Sequence, residues 1–385
     1  MKSKGVLEQK GMPRLNYVGK KPARSIIKST KPGNLEPVYQ TGPASFSGWR
    51  NLLILGDNLP VLKTLINRMT GEEGVRLIYI DPPFATGREF NGIHGGKVVA
   101  YDDTLKGADY LEFLRERILL MREIMAEDAS IYVHIDWKMG HYVRVLMDEI
   151  FGAEHFINDI TRIKCNPKNF NRAAYGNIKD TILFYSKSEK YAWYGSNEVM
   201  TEQDIARLFP MIDKDGRRYT TTPLHAPGRT VNGPTGQDWK GLRPPKGRHW
   251  RYSPAQLTSL DNEGLIEWSD KGNPRKKIFA DDAITKGKKR QDIWEFKDPP
   301  YPKYPTEKNL DMLKTIISAS SKTGDIVLDA FCGSGTTLLA AEELGRRWIG
   351  IDSSKLAIEC AAERFREYEN ENGRIRPYAI LHSVH

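Results

Sequence analysis

Two stretches of the chain, 51–187 and 305–366, alternate continuous apolar runs with helical periodicity, and this alternation constrains the fold more than any other feature. The runs in NLLILGDN (51–58), VRLIYI (75–80), SIYVHI (130–135), DTILFYSK (180–187), IVLDAF (326–331) and RWIGID (347–352) are too continuous for strands with one wet face. They read as strands buried on both sides, as in a parallel sheet. Between them, LPVLKTLINRM (59–69), ADYLEFLRERILLMREIM (108–125), GHYVRVLMDEIFG (140–152), TEKNLDMLKTIISASS (306–321), TTLLAAEELG (336–345) and SSKLAIECAAERFREYE (353–369) read as helices. The expected class is α/β, a mostly parallel sheet with helices on both faces.

The segment 188–300 breaks the rhythm. It is rich in Trp, Tyr, Pro, Gly and Lys/Arg, with five basic residues and no acid in KGLRPPKGRHWR (240–251). KGNPRKKIFADDAITKGKKR (271–290) holds eight basic residues against two acids. Such runs suit a nucleic-acid partner or a solvated face, and a net charge of +9 with a pI near 9.2 fits the former. The first 31 residues carry nine Lys/Arg and one acid, Glu8, so 1–45 is expected to be a poorly ordered basic arm, on a polyanion or in solvent. Residues 85–107, polar and rich in Gly, read as a long mobile loop. Cys165, Cys332 and Cys360 are far apart, and no CxxC or HxxxH occurs. That points to reduced thiols in a cytoplasm and away from a disulfide framework or a metal site. No apolar run approaches the roughly 18–20 residues a bilayer requires, so no membrane partner is expected.

Two motifs carry chemistry. Asp-Pro-Pro-aromatic occurs twice, in LIYIDPPFAT (77–86) and EFKDPPYPKY (295–304). The first copy ends a buried strand, where open α/β sheets place their ligands. The second follows a short charged stretch and runs into further prolines, as an extended connector does. Asp81, not Asp298, is therefore expected to act. Proline lacks an N–H, so this turn exposes carbonyl oxygens with few local donors. The Asp81 carboxylate and the Pro82 carbonyl would form a pair of acceptors for an exocyclic amine, and Phe84 a face for a flat heterocycle. The same string could instead merely end a strand, with Phe84 in the core. The second motif runs strand, CGSG turn, helix, strand, with about 20 residues from Gly333 to Asp352. Gly333 and Gly335 would admit close backbone approach, and Asp352 could accept from ribose hydroxyls. Gly335 is followed by Thr336 and Thr337, so the third glycine of a dinucleotide fingerprint is missing. A nucleoside ligand without pyrophosphate is favoured, S-adenosylmethionine first among them.

DPPF (81–84), YPTEK (304–308), LDAFCGSGTT (328–337) and RRWIGIDSS (346–354), in that order, resemble the amino-methylating DNA methyltransferases, in the beta arrangement where the catalytic tetrapeptide precedes the cofactor loop. GRHWRYSPAQLTSLDNEGLIEW (247–268) also resembles a stretch common in such enzymes. The resemblance spans Asn51 to about Arg366 and implies a circularly permuted, Rossmann-like methyltransferase fold. Its catalytic half would be 46–187 and its cofactor half 301–385, with 188–300 an inserted target-recognition region. It implies Asp81, Pro82, Pro83 and Phe84 as the catalytic tetrapeptide. The cofactor would meet Asp57, Asn58, Thr306, Lys308, Asp329, Phe331, Gly333, Ser334, Gly335, Thr336, Thr337 and Asp352. Within that set, Asp57 would serve its adenine, and Thr306 with Lys308 its carboxylate. Phosphate contacts would come from Lys164, Lys168, Arg172, Lys240, Arg243, Lys246, Arg248 and Arg251. The single departure in the tetrapeptide is Phe84 where tyrosine is commoner.

An Asp-headed tetrapeptide resembles the adenine-N6 type; the cytosine-N4 type usually begins with serine. The implied reaction flips an adenine from double-stranded DNA and methylates N6 directly, with no cysteine nucleophile, so Cys332 would be a packing residue. Cytosine-N4 is the alternative, followed by an RNA or protein amide methyltransferase, an inactive DNA-binding homologue and a nicotinamide oxidoreductase. A homodimer and a restriction endonuclease partner are both compatible with the resemblance.

Overall fold

The computed structural model describes residues 12–43, 48–69, 74–83, 88–91, 99–103, 105, 107–167, 173–302, 304 and 307–384. The chain forms two compact units, one from 1–196 with 291–385 and the other from 197–290.

The larger unit is built on a ten-stranded sheet. Its strands are β1 (Asn34–Gln40), β2 (Asn51–Leu55), β3 (Val75–Ile80), β4 (Met125–Ile135), β5 (Phe156–Ile163), β6 (Lys179–Ser186), β7 (Ile293–Glu295), β8 (Ile326–Asp329), β9 (Arg347–Asp352) and β10 (Tyr378–Val384). They pair in the order β1-β10-β2-β9-β8-β3-β4-β6-β5-β7. Every pair from β10 to β4 is parallel, whereas β1 and β6 run against their neighbours. The helices are α1 (Ala23–Ser29), α2 (Asn58–Arg68), α3 (Gly107–Ile124), α4 (Gly140–Phe151), α5 (Leu310–Ser320), α6 (Thr336–Glu343) and α7 (Lys355–Asn372). Side chains of α1 to α4 share one core with the sheet, and those of α5 to α7 share the other. β3 shows why its sequence is continuous: Ile78 and Ile80 enter the first core, Leu77 and Tyr79 the second.

Strands far apart in sequence become neighbours here. Val327 and Leu328 of β8 pair with Leu77 and Ile78 of β3. From β8 the chain passes through α6 to β9 on one side, and from β3 through α3 to β4 on the other. The carboxyl ends of β8 and β3 thus flank a switch point, the place where open sheets of this kind bind ligands.

Four sequence expectations are corrected. Residues 12–43 are not a loose arm, because α1 packs on the core and β1 closes the sheet edge. Lys20 pairs with Glu149 at 2.6 Å and Lys21 with Glu116 at 2.6 Å, so these two basic residues have acidic partners in the fold. Within the expected loop 85–107, Arg88–Asn91 and Val99–Asp103 form an antiparallel pair. The helix expected from 306 begins only at Leu310, where the Asn309 side chain accepts from Met312 N at 3.0 Å. β5 and β10 were not expected at all, since FINDITRI and YAILHSV are short and mix polar with apolar residues.

The smaller unit has a four-stranded sheet, in the order Met211–Ile212, Arg218–Pro223, Pro274–Phe279, Ile266–Trp268. Its core is Leu224, Trp239, Trp250, Leu257 and Ile266. Its two ends pair antiparallel, Asn197 with Lys289 and Glu198 with Lys288. Among the described residues no helix is long and apolar enough to cross a membrane, and no three His, Cys, Asp or Glu side chains are grouped to hold a metal.

Candidate active site

A cleft of about 400 Å³ opens at the switch point. Asp57, Asn58, Asp81, Pro82, Pro83, Lys308, Asp329, Phe331, Gly333, Ser334, Thr336, Thr337 and Asp352 all border it. The geometry brings together residues drawn from 57 to 352 because β2, β3, β8 and β9 all end on this side of one parallel sheet. Phe84 and Thr306 lie outside the described residues. Gly335 does not line the cleft. It turns the chain into α6 with φ +76°, and a Cβ there would stand 2.9 Å from Ala361 Cβ, so its evident service is to let α7 pack close.

The cofactor end is rich in carboxylates with fixed orientation. Asp352 accepts from Gly333 N at 2.9 Å through one oxygen and from Ser354 N at 2.8 Å through the other. The carboxylate's lone pairs outnumber its backbone donors, which leaves room for a ligand hydroxyl. Asp329 accepts from Phe331 N at 3.0 Å. Burial pushes its carboxyl up to about 7, and the charges of Asp81 and Asp352 add to this against hydrogen bonds from Thr337 and Phe331 N. Burial also raises Asp352, opposed by the backbone N–H groups of Ser354, Gly333 and Ser353. Asp57 caps α2, accepting from Leu59 N at 3.0 Å, and pairs with Arg117 Nη2 at 2.7 Å. Asn58 donates to Ala330 O at 2.7 Å and accepts from Arg117 Nε, which ties α2 to the loop after β8. Tyr110, Phe113 and Arg117 of α3 complete the wall, with the Arg117 guanidinium 3.6 Å from the Phe113 ring centroid. Their places in an amphipathic helix gave no sign that they border a ligand cleft. Burial pushes the Cys332 thiol well above its ordinary value, which leaves it a packing group.

Asp81 follows directly on β3 and heads a chain of polar groups. Its Oδ2 is 2.5 Å from Lys308 Nζ. Its Oδ1 is buried and takes no hydrogen bond among the described residues, and lies 4.0 Å from His134 Nδ1. His134, fully buried on β4, meets the Tyr79 hydroxyl at 2.8 Å through Nδ1 and Asp180 Oδ2 at 3.4 Å through Nε2. Burial pushes His134 down, against the pull of Asp180 and Asp81. Burial alone would raise Asp180, but His134 and Lys164, the latter at 2.7 Å, hold it well below the usual carboxylate range. His134 and Asp180 sit in runs that the sequence reads only as strands, and their polarity was the one available signal.

The residues expected on DNA divide. Lys164 has its ammonium on buried Asp180, at 2.7 Å, and so joins this internal chain. Lys168 and Arg172 lie outside the described residues. Lys240, Arg243, Lys246, Arg248 and Arg251 are all exposed on the smaller unit. Lys240 pairs with Asp261 and Arg243 with Asp238, the latter at 3.2 Å. Arg248 approaches His225 Nδ1 at 3.1 Å, and Arg251 Nε donates to Pro223 O at 3.2 Å. The second Asp-Pro-Pro is not idle: Asp298 Oδ1 meets Arg162 Nη2 at 2.5 Å, and the Arg162 side chain is wholly buried.

A mostly parallel sheet thus carries a carboxylate-lined cleft at its switch point, beside an Asp-Pro-Pro turn. The sequence pattern of one family, described as DNA methylase, N6_N4_Mtase, matches residues 75–363. The type II methyltransferase M.EcaI of Enterobacter cloacae is 43% identical over 357 residues, covering 91% of this chain and 77% of that one. The EcoP15I Mod subunit of Escherichia coli, a type III restriction-modification enzyme, is 26% identical over 84% of this chain, which spans 61% of that protein's length. Among solved structures, an M1.HpyAVI–SAM complex matches 81% of this chain and 99% of its own, at 19% identity and a TM-score of 0.43. The chain belongs to the DNA methylase family that comprises the adenine-N6 and cytosine-N4 methyltransferases.

Proposed function

We infer that this DNA methyltransferase transfers the methyl group of S-adenosylmethionine to N6 of adenine in duplex DNA. The observation that carries the reading is Asp81: a carboxylate at the switch point, in the cofactor cleft, with a buried oxygen open to a donor. When bound, the cofactor supplies an electrophilic methyl group. Asp352, with a lone pair to spare beyond its backbone bonds, suits a ribose hydroxyl, and Phe331 with Phe113 suits the adenine. The acidic surroundings of Asp329 and Asp352 favour a cationic sulfonium.

Asp81 Oδ1 and the Pro82 carbonyl would accept the two N–H groups of the flipped base. This orients the nitrogen lone pair toward the methyl group, so that catalysis is positioning and acceptor electrostatics. The choice of adenine rests on the aspartate that heads the tetrapeptide. The exposed basic residues of 197–290 would hold phosphates. The restriction-modification setting of the EcoP15I Mod subunit suggests an endonuclease that recognises the same site.

Nucleoside mass spectrometry tests the reading. Unmethylated DNA incubated with cofactor and wild type should yield N6-methyladenine, and Asp81→Ala should slow its formation by about a hundred- to a thousandfold, the scale of losing one preorganised polar group at the reacting atoms. N4-methylcytosine would keep the mechanism and change the base. Full activity in Asp81→Ala would sink the assignment.

A further inference from the structure

The ion pair between Lys308 and Asp81 joins two groups whose proposed partners differ. On the function proposed above Asp81 accepts the base amine, and the family resemblance gives Lys308 to the carboxylate of the cofactor. Yet Lys308 Nζ stands 2.5 Å from Asp81 Oδ2, with the two side chains only 9% and 17% exposed. In so dry a place a carboxylate with an ammonium on one oxygen is a weaker acceptor than one without. A second carboxylate entering beside Asp81 would also be repelled unless a cation stands between them. The cleft already holds Glu307, Asp329 and Asp352.

We propose that Lys308 is a positioning residue shared between Asp81 and the cofactor carboxylate, so that cofactor binding draws the ammonium off Asp81 and arms it for the amine. The proposal rests on the methyltransferase reading. It adds a coupling between the two halves of the site: Asp81 competes with the cofactor for one cation, and each therefore weakens the hold of the other.

The sign of that coupling is measurable without turnover. Binding of S-adenosylhomocysteine and of methylthioadenosine is titrated by calorimetry. Neither carries a sulfonium, and only the first carries a carboxylate, so the ratio of their affinities isolates the amino-acid end. Asp81→Asn should raise that ratio about three- to tenfold, the scale of one charge-assisted contact. Lys308→Met should lower it by about tenfold or more. In a Lys308→Met background, Asp81→Asn should no longer raise it to the same extent. An equal rise in both backgrounds means plain repulsion between carboxylates and overturns the sharing, and so does no rise at all. Should Asp81→Asn fail to fold, Asp81→Ala is read by the same ratio. Wild type that binds neither ligand overturns the cofactor reading, and the sharing with it.

Discussion

Asp329 has the most to say about pH. Its ordinary value is 3.8 and burial carries it to about 7, so between those limits the folded chain holds a proton that the unfolded chain has lost. Unfolding then releases a proton, and stability falls as pH rises through that window, with the full loss reached above 7. Asp352, raised in the same sense, adds to the slope. Asp329→Asn should flatten the decline in melting temperature between about pH 5 and 8; an unchanged slope would show that the burial of Asp329 is not its source. Asp298 answers to a different measurement. Removing it leaves the wholly buried Arg162 with one fewer acceptor. Since Asp298 itself is 44% exposed, the expected cost is modest, about 1–2 kcal/mol. Asp298→Ala should therefore melt earlier and still methylate, the reverse of Asp81→Ala. Loss of methylation in a folded Asp298→Ala would contradict this division of labour.

Among the elements, the turn into α6 is the most sharply constrained. Gly335 combines φ +76° with a Cβ position 2.9 Å from Ala361, so backbone conformation and packing both demand glycine. Gly335→Ala should cost about 2–4 kcal/mol, read in urea unfolding, through strain and displacement of α7. The same region marks the limits of reading the sequence. β3, β8 and β9 were legible because a strand buried on both faces must be apolar at every position, and VRLIYI, IVLD and RWIGID nearly are. β1 was not, because an edge strand may be polar: NLEPVYQ buries only Leu35, and β10 was missed because YAILHSV sets His and Ser among its apolar residues. The glycine turn and Asp-Pro-Pro announced themselves by composition, so the cleft could be outlined in advance. Tyr110, Phe113, Arg117, His134 and Asp180 could not be placed, because which face of a helix or strand meets a ligand is decided by neighbours tens to hundreds of residues away. Arg162 and Asp298 show the converse, a motif whose second copy proved to be an internal counter-ion.

At the scale of the molecule, two kinds of surface are divided between the two units. The cleft belongs wholly to the unit of 1–196 and 291–385, whereas Lys240, Arg243, Lys246, Arg248 and Arg251 belong to 197–290. If those five hold phosphates, the dependence of DNA affinity on salt should report them. Lys246→Ala should reduce the slope of log K against log salt by about one, with no change in the affinity for S-adenosylhomocysteine. An unaltered slope would remove Lys246 from the interface. The pairing of Asn197 with Lys289 and Glu198 with Lys288 means that the smaller unit leaves and rejoins the chain at one place. A short turn could bridge those ends and omit everything between. Within a reading frame, then, the whole of 199–287 can be lengthened, shortened or exchanged in a single genetic event, while the sheet that does the chemistry is inherited untouched. If the smaller unit reads the target, a lineage carrying this architecture can change the word it recognises without relearning how to write the mark.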